Sequence, residues 1–142
     1  MTFDLHPNLA STSVFIADLE LCQARLQDDA RFPWVVLVPR IEGAVELDDL
    51  SPTQRYRLMD EIAWAGAAVR ALGDVRDRPV EKINVGALGN VTSQLHVHVL
   101  GRRRDDTLWP HPVWGRGEAR PYADAEREDV LEAVRRPAPP AP

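Results

Sequence analysis

Two histidines and a glutamine alternate with apolar residues in one short segment of the chain. Gln94, His96 and His98 are each separated by a single leucine or valine, which is the period-two pattern of a half-buried strand. The pattern predicts that the leucine and the valines face a core while the three polar side chains share the opposite face. Two imidazoles and an amide in one row predict a face of the sheet that can carry out a reaction.

Two simpler interpretations of this row compete with a catalytic one. A solvated strand face accommodates a single histidine easily, but His96 and His98 together with a glutamine make that interpretation weaker. A His-x-His pair on a strand also aims two imidazoles toward one metal ion. A catalytic metal needs a third ligand, and the remaining histidines, His6 and His111, lie in irregular regions. We therefore expect neither a metal nor another cofactor.

Phosphoryl chemistry suits the row better. An imidazole on a rigid strand can attack phosphorus when a hydrogen bond to its other nitrogen fixes the tautomer. A second imidazole, in its protonated form, can then donate to the phosphate or the leaving oxygen. Backbone amides at Gly86, Gly89 and residues 91–93 are candidates for holding phosphate oxygens, and Asn84 can donate its amide. The chain has no P-loop motif, and the spacing alone does not select phosphorus over a carbonyl substrate.

The elements that must position this row are predicted from periodicity. Residues 19–26 alternate and residues 34–38 are continuously apolar, so they predict two strands of an antiparallel hairpin. Residues 81–87 predict a further strand, and the glycine-containing turn 88–93 leads into the strand 94–100. Because this second pair also forms a hairpin, we expect Asn84 to lie near the histidines.

A long helix is predicted between the two hairpins. Ser51 is a natural N-cap, Pro52 suits the first helical position, and Gln54 completes a capping box. An apolar stripe follows at helical spacing: Leu58, Met59, Ile62, Ala65, Ala68, Val69 and Leu72. Gly73 is predicted to end the helix in a left-handed conformation. A second, short helix is predicted within residues 126–135.

Composition describes an ordinary globular chain, with 44% hydrophobic and 27% charged residues and a net charge of −5. An acidic chain is not expected to bind nucleic acid in general. Cys22 is the only cysteine, and no segment has the composition of a signal peptide or a membrane span. We expect one cytoplasmic domain over residues 1–136, with an irregular lead-in at 1–13 and a disordered Pro/Ala tail at 137–142.

The Asn-x-Gly strand at Asn84 and the run 94–100 together resemble the histidine triad (HIT) superfamily, whose motif is His-φ-His-φ-His-φ-φ with φ apolar. The preceding elements fall in the family order, so the resemblance covers roughly residues 14–104. Residues 109–114 resemble one bacterial branch, and their two tryptophans are expected to pack either across a dimer interface or within the chain. The resemblance implies an α+β fold: an antiparallel five-stranded sheet with a long helix and a short C-terminal helix, usually in a homodimer.

The resemblance also implies a reaction. HIT proteins hydrolyse or transfer nucleoside monophosphates through a nucleotidyl-histidine intermediate, which here implies a purine nucleoside phosphoramidate or a dinucleoside polyphosphate as substrate. The nucleophile falls on His96, and the histidine that contacts the phosphate and the leaving group falls on His98. The first histidine of the family is replaced by Gln94, which can hydrogen-bond but cannot titrate. This substitution motivates an alternative, a nucleotide-binding or regulatory protein with little turnover.

The nucleotide-binding residues are carried over in the same way. Asn84 matches the amide residue of the preceding strand, and Asn90 matches a polar position just before the triad. The residue that holds the ribose hydroxyls falls on Asp28 or Asp29, of which Asp28 is preferred. Gly89 is added from the loop geometry, because its backbone amide can face a phosphate.

Overall fold

The computed structural model describes residues 3–142, which form an α+β fold with one five-stranded antiparallel sheet. The strands are β1 (Ser13–Asp18), β2 (Cys22–Gln27), β3 (Trp34–Pro39), β4 (Lys82–Gly86) and β5 (Val97–Arg102). The helices are α1 (Pro7–Thr12), α2 (Pro52–Val75) and α3 (Asp124–Val134), with a 3-10 turn at Leu47–Asp49. The strand order is β1-β2-β3-β5-β4. The predicted fold class, including the long and the short C-terminal helix, is confirmed.

The first part of the chain differs from the prediction. Residues 7–12 are helical rather than irregular, because Pro7 occupies the first helical turn and the His6 side chain caps it by accepting from the Asn8 N–H. Met1 and Thr2 lie outside the described residues. The strand predicted at 19–26 is also wrong at its start, since 19–21 is a turn between β1 and β2. A register shift between Phe15 and Ala17 breaks the polar–apolar alternation of β1, so the sequence pattern did not predict β1.

The long helix begins as predicted and ends later. The Ser51 hydroxyl accepts from the Gln54 N–H, and the Gln54 side chain accepts from the Ser51 N–H. Gly73 does not end the helix, which continues to Val75; the left-handed residue is Asp77, with φ 55°. Gly73 is instead a close-approach residue, because a Cβ there would lie 2.7 Å from the Arg78 carbonyl oxygen.

Both faces of the sheet are covered. On one face α2 and α3 pack against a large apolar cluster that includes Leu95, Val97 and Val99, as predicted for the apolar side of the row. The opposite face, which we name the histidine face, carries Trp34, Val36, His98 and Leu100. Here a second cluster forms, in which Leu9 of α1 and Val113 pack onto the strands. The predicted reaction face is therefore partly enclosed by segments from both ends of the chain.

The apolar stripe of α2 is rotated from the predicted one, with consequences for the β1–β2 turn. Met59 is exposed, whereas Glu61 is almost completely buried. The Glu61 carboxylate accepts hydrogen bonds from the backbone N–H groups of Leu21 and Cys22, at 2.9 and 2.8 Å. Burial raises the pKa of the Cys22 thiol, and the neighbouring carboxylate raises it further, so this cysteine remains a protonated core residue.

The C-terminal residues lie against α2. The predicted helix at 126–135 is observed as α3, which begins two residues earlier and ends at Val134. Residues 137–142, predicted to be a disordered tail, form no helix or strand, but the carbonyl of Pro137 accepts from the Trp64 indole and that of Ala141 accepts from Arg57. None of the helices in residues 3–142 is long and apolar enough to cross a membrane.

We expect Glu61→Ala to lower the free energy of unfolding by about 3 kcal/mol, because it leaves two buried backbone donors without a partner. Urea denaturation measures the change. Asp60→Ala, at an exposed neighbouring position, is the matched control and should change stability by less than about 0.5 kcal/mol. Equal effects of the two substitutions would show that the buried carboxylate does not hold the turn.

Candidate active site

His96 and His98 lie side by side at the start of β5. The strand begins at Val97, so the predicted strand 94–100 is wrong for its first three residues. His98 is paired with Val36 of β3 on one side and with Gly86 of β4 on the other. The two imidazole rings have centroids 4.9 Å apart and planes inclined by 78°. The structure therefore brings together the two histidines that the sequence placed in one row.

The tautomer of His96 follows from a single hydrogen bond. Its Nδ1 lies 2.7 Å from the backbone carbonyl oxygen of Gln94. A carbonyl oxygen can only accept, so Nδ1 must carry the proton and, in the neutral ring, Nε2 must carry the lone pair. His96 as a whole residue is 7% exposed. This tautomer is the arrangement that a nucleophilic imidazole requires.

His98 is held in the opposite tautomer. The indole N–H of Trp34 donates to its Nδ1 at 3.0 Å, and because an indole can only donate, the proton of the neutral ring lies on Nε2. Burial lowers the pKa of His98 to about 4, with a smaller contribution from His96. The protonated form expected from the sequence is therefore wrong near neutral pH. His98 can donate a hydrogen bond from Nε2–H, but it is not an acid.

The side chain of Gln94 holds the N-terminal segment and makes no hydrogen bond to either imidazole. Its Oε1 accepts from the backbone N–H of His6 at 2.8 Å, and its Nε2 donates to the carbonyl oxygen of Asp4 at 2.9 Å. The hydrogen bond between Gln94 and His96 is made by the backbone carbonyl of Gln94. The predicted catalytic position thus has two separate contacts: its main chain orients the His96 ring, and its side chain anchors residues 4–6.

Asn84 lies on the histidine face, opposite Leu100 and therefore diagonal to His98. Its Oδ1 accepts from Nη1 of the buried Arg102 at 3.0 Å. This hydrogen bond fixes the orientation of the Asn84 amide. Its NH₂ group makes no hydrogen bond to any of residues 3–142 and is therefore available to a ligand. The predicted proximity of Asn84 to the histidines is present, and its donor role stays a prediction.

Two tryptophans complete the surroundings of His98 and were missed as site residues. The Trp114 ring centroid lies 5.8 Å from that of His98, and a Cβ on Gly86 would lie 2.9 Å from the Trp114 ring. Of the two packing modes left open for the 109–114 tryptophans, this is packing within the chain. The Trp114 indole nitrogen is buried and has no hydrogen-bond partner among the described residues. It is therefore an unused donor beside His98.

A cavity of about 240 Å³ opens beside His96. Its walls are residues 87–89 on one side and residues 45–48 on the other, with Leu95 at the base. Gly89, with φ +68°, lines this cavity, whereas Asn90 is exposed and does not. The cavity also has an acidic wall, formed by Glu46 and Asp48, which gave no recognisable signal in the sequence.

The two candidate ribose-binding carboxylates differ sharply. Asp29 is 1% exposed, and both of its oxygens bond Arg31. Asp28 is half-buried and uses Oδ1 to accept from the backbone N–H of Tyr122. Only Asp28 keeps a carboxylate oxygen available for a ligand, in agreement with its choice as the predicted ribose-binding residue. Neither carboxylate hydrogen-bonds a histidine. Its ribose role stays a prediction.

Comparison with known proteins shows the family of the chain. A family model described as HIT domain matches residues 8–105. A histidine triad (HIT) protein from Sinorhizobium meliloti 1021 has 38% sequence identity to this chain. Its crystal structure matches with a TM-score of 0.89, over 96% of this chain and 98% of that one. The alternation at 94–100, the fold and these matches lead to one conclusion: the chain belongs to the HIT family, whose members are generally nucleotide-binding proteins or hydrolases.

Two further structures are similar over nearly their whole length. A histidine triad protein from Bradyrhizobium japonicum is 38% identical, with a TM-score of 0.84 over 95% of this chain and 97% of that one. One from Marinobacter aquaeolei VT8 is 34% identical, with a TM-score of 0.82 over 93% of each chain. No curated protein matches the sequence.

We expect His98 to remain a neutral Nε2–H imidazole from pH 8 down to about pH 5, because its pKa is lowered to about 4. Ring-nitrogen NMR measures this directly. Since the unfolded chain takes up the proton near pH 6.5, stability that is complete above pH 6.5 is lost as the pH falls toward 4. Trp34→Phe, which removes the indole donor, should release Nδ1 from its fixed acceptor role, while burial still keeps the pKa of His98 below 6.5. Titration of His98 near pH 6.5 in the unmodified protein would contradict this assignment.

We expect Gln94→Ala to release the N-terminal segment without changing the tautomer of His96, because only the side-chain contacts are lost. Hydrogen exchange of the His6 amide should accelerate at least about tenfold, while ring-nitrogen NMR should still find the proton of His96 on Nδ1. Ser93→Ala, at an exposed neighbouring position, is the control and should change neither. Protection of the His6 amide that survives Gln94→Ala would exclude the anchoring role.

Proposed function

We propose that the protein is a nucleotide hydrolase or nucleotidyl transferase that acts on the α-phosphate of a purine nucleotide through a nucleotidyl-histidine intermediate. The observation that carries the proposal is the hydrogen bond from His96 Nδ1 to the Gln94 carbonyl, which leaves the Nε2 lone pair for attack. Family membership and the cavity beside His96 support it.

The proposed reaction has two displacements at phosphorus. His96 Nε2 forms a bond to the α-phosphorus while the bond to the leaving group breaks. His98 Nε2–H donates a hydrogen bond to a phosphoryl oxygen, and the Asn84 amide and the Gly89 backbone N–H are further proposed donors. Because His98 is neutral, the proton that the leaving group requires comes from solvent. Water then attacks the same phosphorus, releases the nucleoside monophosphate and regenerates His96.

The acidic wall of the cavity distinguishes between the two substrate classes. Glu46 and Asp48 lie beside the nucleophile, and two carboxylates repel a departing polyphosphate but attract a departing amine that becomes an ammonium ion. Both side chains are exposed, so the discrimination is modest and is weakened by salt. We therefore propose a nucleoside phosphoramidate as the preferred substrate over a dinucleoside polyphosphate.

The remaining features of the proposal rest on the family resemblance. Asp28 is proposed to bind the ribose hydroxyls, and the exposed Asn90 to contact the nucleotide when it is bound. The protein is proposed to act as a cytoplasmic homodimer. Multi-angle light scattering of the purified chain tests the dimer, and a single species of 15.9 kDa would contradict it.

We expect the protein to release adenosine monophosphate from adenosine phosphoramidate faster than from diadenosine polyphosphate. His96→Ala should lower the rate by at least about 1,000-fold, because no other imidazole takes the place of the nucleophile. Mass spectrometry of protein quenched during turnover should find one adenylyl group on His96. Asp48→Asn should reduce the preference for the phosphoramidate at low salt, with little effect at high salt.

His6→Ala is the matched control for His96, because that imidazole caps α1 and bonds neither imidazole of the row. It should retain the adduct. The alternative function, nucleotide binding with little turnover, predicts a calorimetric signal with adenosine monophosphate but no product after long incubation. Turnover that is unaffected by His96→Ala would overturn the mechanism.

A further inference from the structure

A second cavity lies at the far end of β5 from His96 and is not used by the proposed reaction. It is lined by Gly101 near the end of β5, by Pro33 just before β3, and by Leu72 and Gly73 of α2. Five residues along a strand separate Gly101 from His96, which is roughly 16 Å. Its lining draws on both apolar clusters, with Leu72 from the α2 side and Phe32 from the histidine face, so the cavity lies at the end of the sheet. The cavity is therefore a separate site.

The cavity has an apolar floor and a cationic rim. The floor is formed mainly by Ala30, Phe32, Leu72 and Val80. Five arginines contribute to the rim: Arg31, Arg76, Arg78, Arg103 and Arg120. The volume is about 140 Å³, close to that of an apolar protein cavity of roughly 150 Å³ that holds one benzene molecule. The dimensions thus suit one ring or a short branched chain.

Most of the rim guanidinium groups are held in place from outside the cavity. Arg31 is paired with Asp29, and Arg76 is paired with Glu126. Arg78 and Arg103 share Asp105. None of these carboxylates lines the cavity; the acidic residue that does is Asp106, and both of its oxygens are bonded by Arg102. The partners position the cations but leave the wall that a ligand meets positively charged.

Arg120 and Tyr122 supply the unused groups. Among residues 3–142, no carboxylate lies within 4.0 Å of the Arg120 guanidinium, which bonds only the carbonyl of Ala30. The Tyr122 hydroxyl is buried and has no hydrogen-bond partner among the same residues. Burial raises the pKa of Tyr122 to about 12, so the hydroxyl keeps its proton and can donate. A buried donor without a partner is unfavourable and rare in folded proteins.

We propose that this cavity binds a small organic anion, a carboxylate or a phosphate monoester that carries one apolar ring. The ring rests on the floor, and the anionic head accepts from the Arg120 guanidinium and the Tyr122 hydroxyl. A guanidinium pairs especially well with planar carboxylates and with phosphates. The site takes no part in the phosphoryl chemistry proposed at His96. The proposed ribose residue, Asp28, accepts from the Tyr122 backbone N–H but does not line the cavity.

The test is an NMR titration of the isotope-labelled full chain with benzoate and with phenyl phosphate. We expect saturable shifts of the Ala30, Gly73 and Gly101 amides, with the tighter of the two probes identifying the preferred head group. Benzyl alcohol, which has the ring without the charge, and inorganic phosphate, which has the charge without the ring, should each bind at least about tenfold more weakly.

Three variants and one control separate the contributions. Arg120→Gln should weaken binding about tenfold or more, and Tyr122→Phe should weaken it severalfold. Ala30→Leu should fill the floor and abolish the shifts. Arg127→Gln is the matched control, because this arginine is paired with Asp124 on α3 and does not line the cavity. It should bind like the unmodified protein, and circular dichroism should find all four folded.

Several results would overturn the proposal. These are the absence of saturable shifts with both probes, equal affinity for benzyl alcohol and benzoate, equal behaviour of Arg120→Gln and Arg127→Gln, or shifts confined to His96 and its neighbours. Loss of hydrolysis in His96→Ala neither supports nor contradicts anion binding in this cavity. Failure of the anion-binding proposal can therefore be distinguished from failure of the proposed reaction.

Discussion

The buried guanidinium of Arg102 is the interaction on which the arrangement of the site depends. Arg102 is 1% exposed, and it bonds both oxygens of Asp106, the Oδ1 of Asn84 and the carbonyl of His111. The rings of Phe32 and Trp109 lie over it, each about 5.6 Å from the guanidinium carbon. A buried cation is tolerated only when its donors are satisfied. The chain that follows β5 must therefore fold back onto the sheet.

This fold-back determines the state of His98. The returning segment places Trp114 against Gly86 and His98, while Trp34 donates to His98 from the neighbouring strand. The enclosure removes part of the water around the imidazole and disfavours its charged form, which lowers its pKa. Two adjacent histidines thereby acquire different chemistry: His96 presents a lone pair and His98 presents an N–H. The neutral state of His98 avoids repulsion between two adjacent imidazolium ions, and the opposite tautomers suit attack on a phosphoryl group whose oxygens need donors.

Features that depend on local sequence were predictable, whereas those that depend on contacts between distant segments were not. The capping box at Ser51 and the alternation after Gln94 are local, so the start of α2 and the shared face of the histidines follow from the sequence. The end of α2 does not, because Gly73 is required by the approach of the Arg78 backbone. Likewise, the tautomer of His98 depends on Trp34, which is 64 positions away, and the acidic cavity wall is brought to His96 by the fold.

Gln94 occupies the position of the first triad histidine, and its backbone and side chain make separate contacts. His96 needs a fixed acceptor at Nδ1, and a backbone carbonyl provides one whatever side chain residue 94 carries. The side chain is then free for another task. The glutamine amide has an acceptor and a donor on one carbon, like a peptide group, so it can pair with the carbonyl of Asp4 and the N–H of His6 as a neighbouring strand would. An imidazole carries its donor and acceptor on diverging nitrogens and does not reproduce this pair. Gln94 stands where the triad motif has its first histidine, and its side chain instead holds the segment that leads into α1.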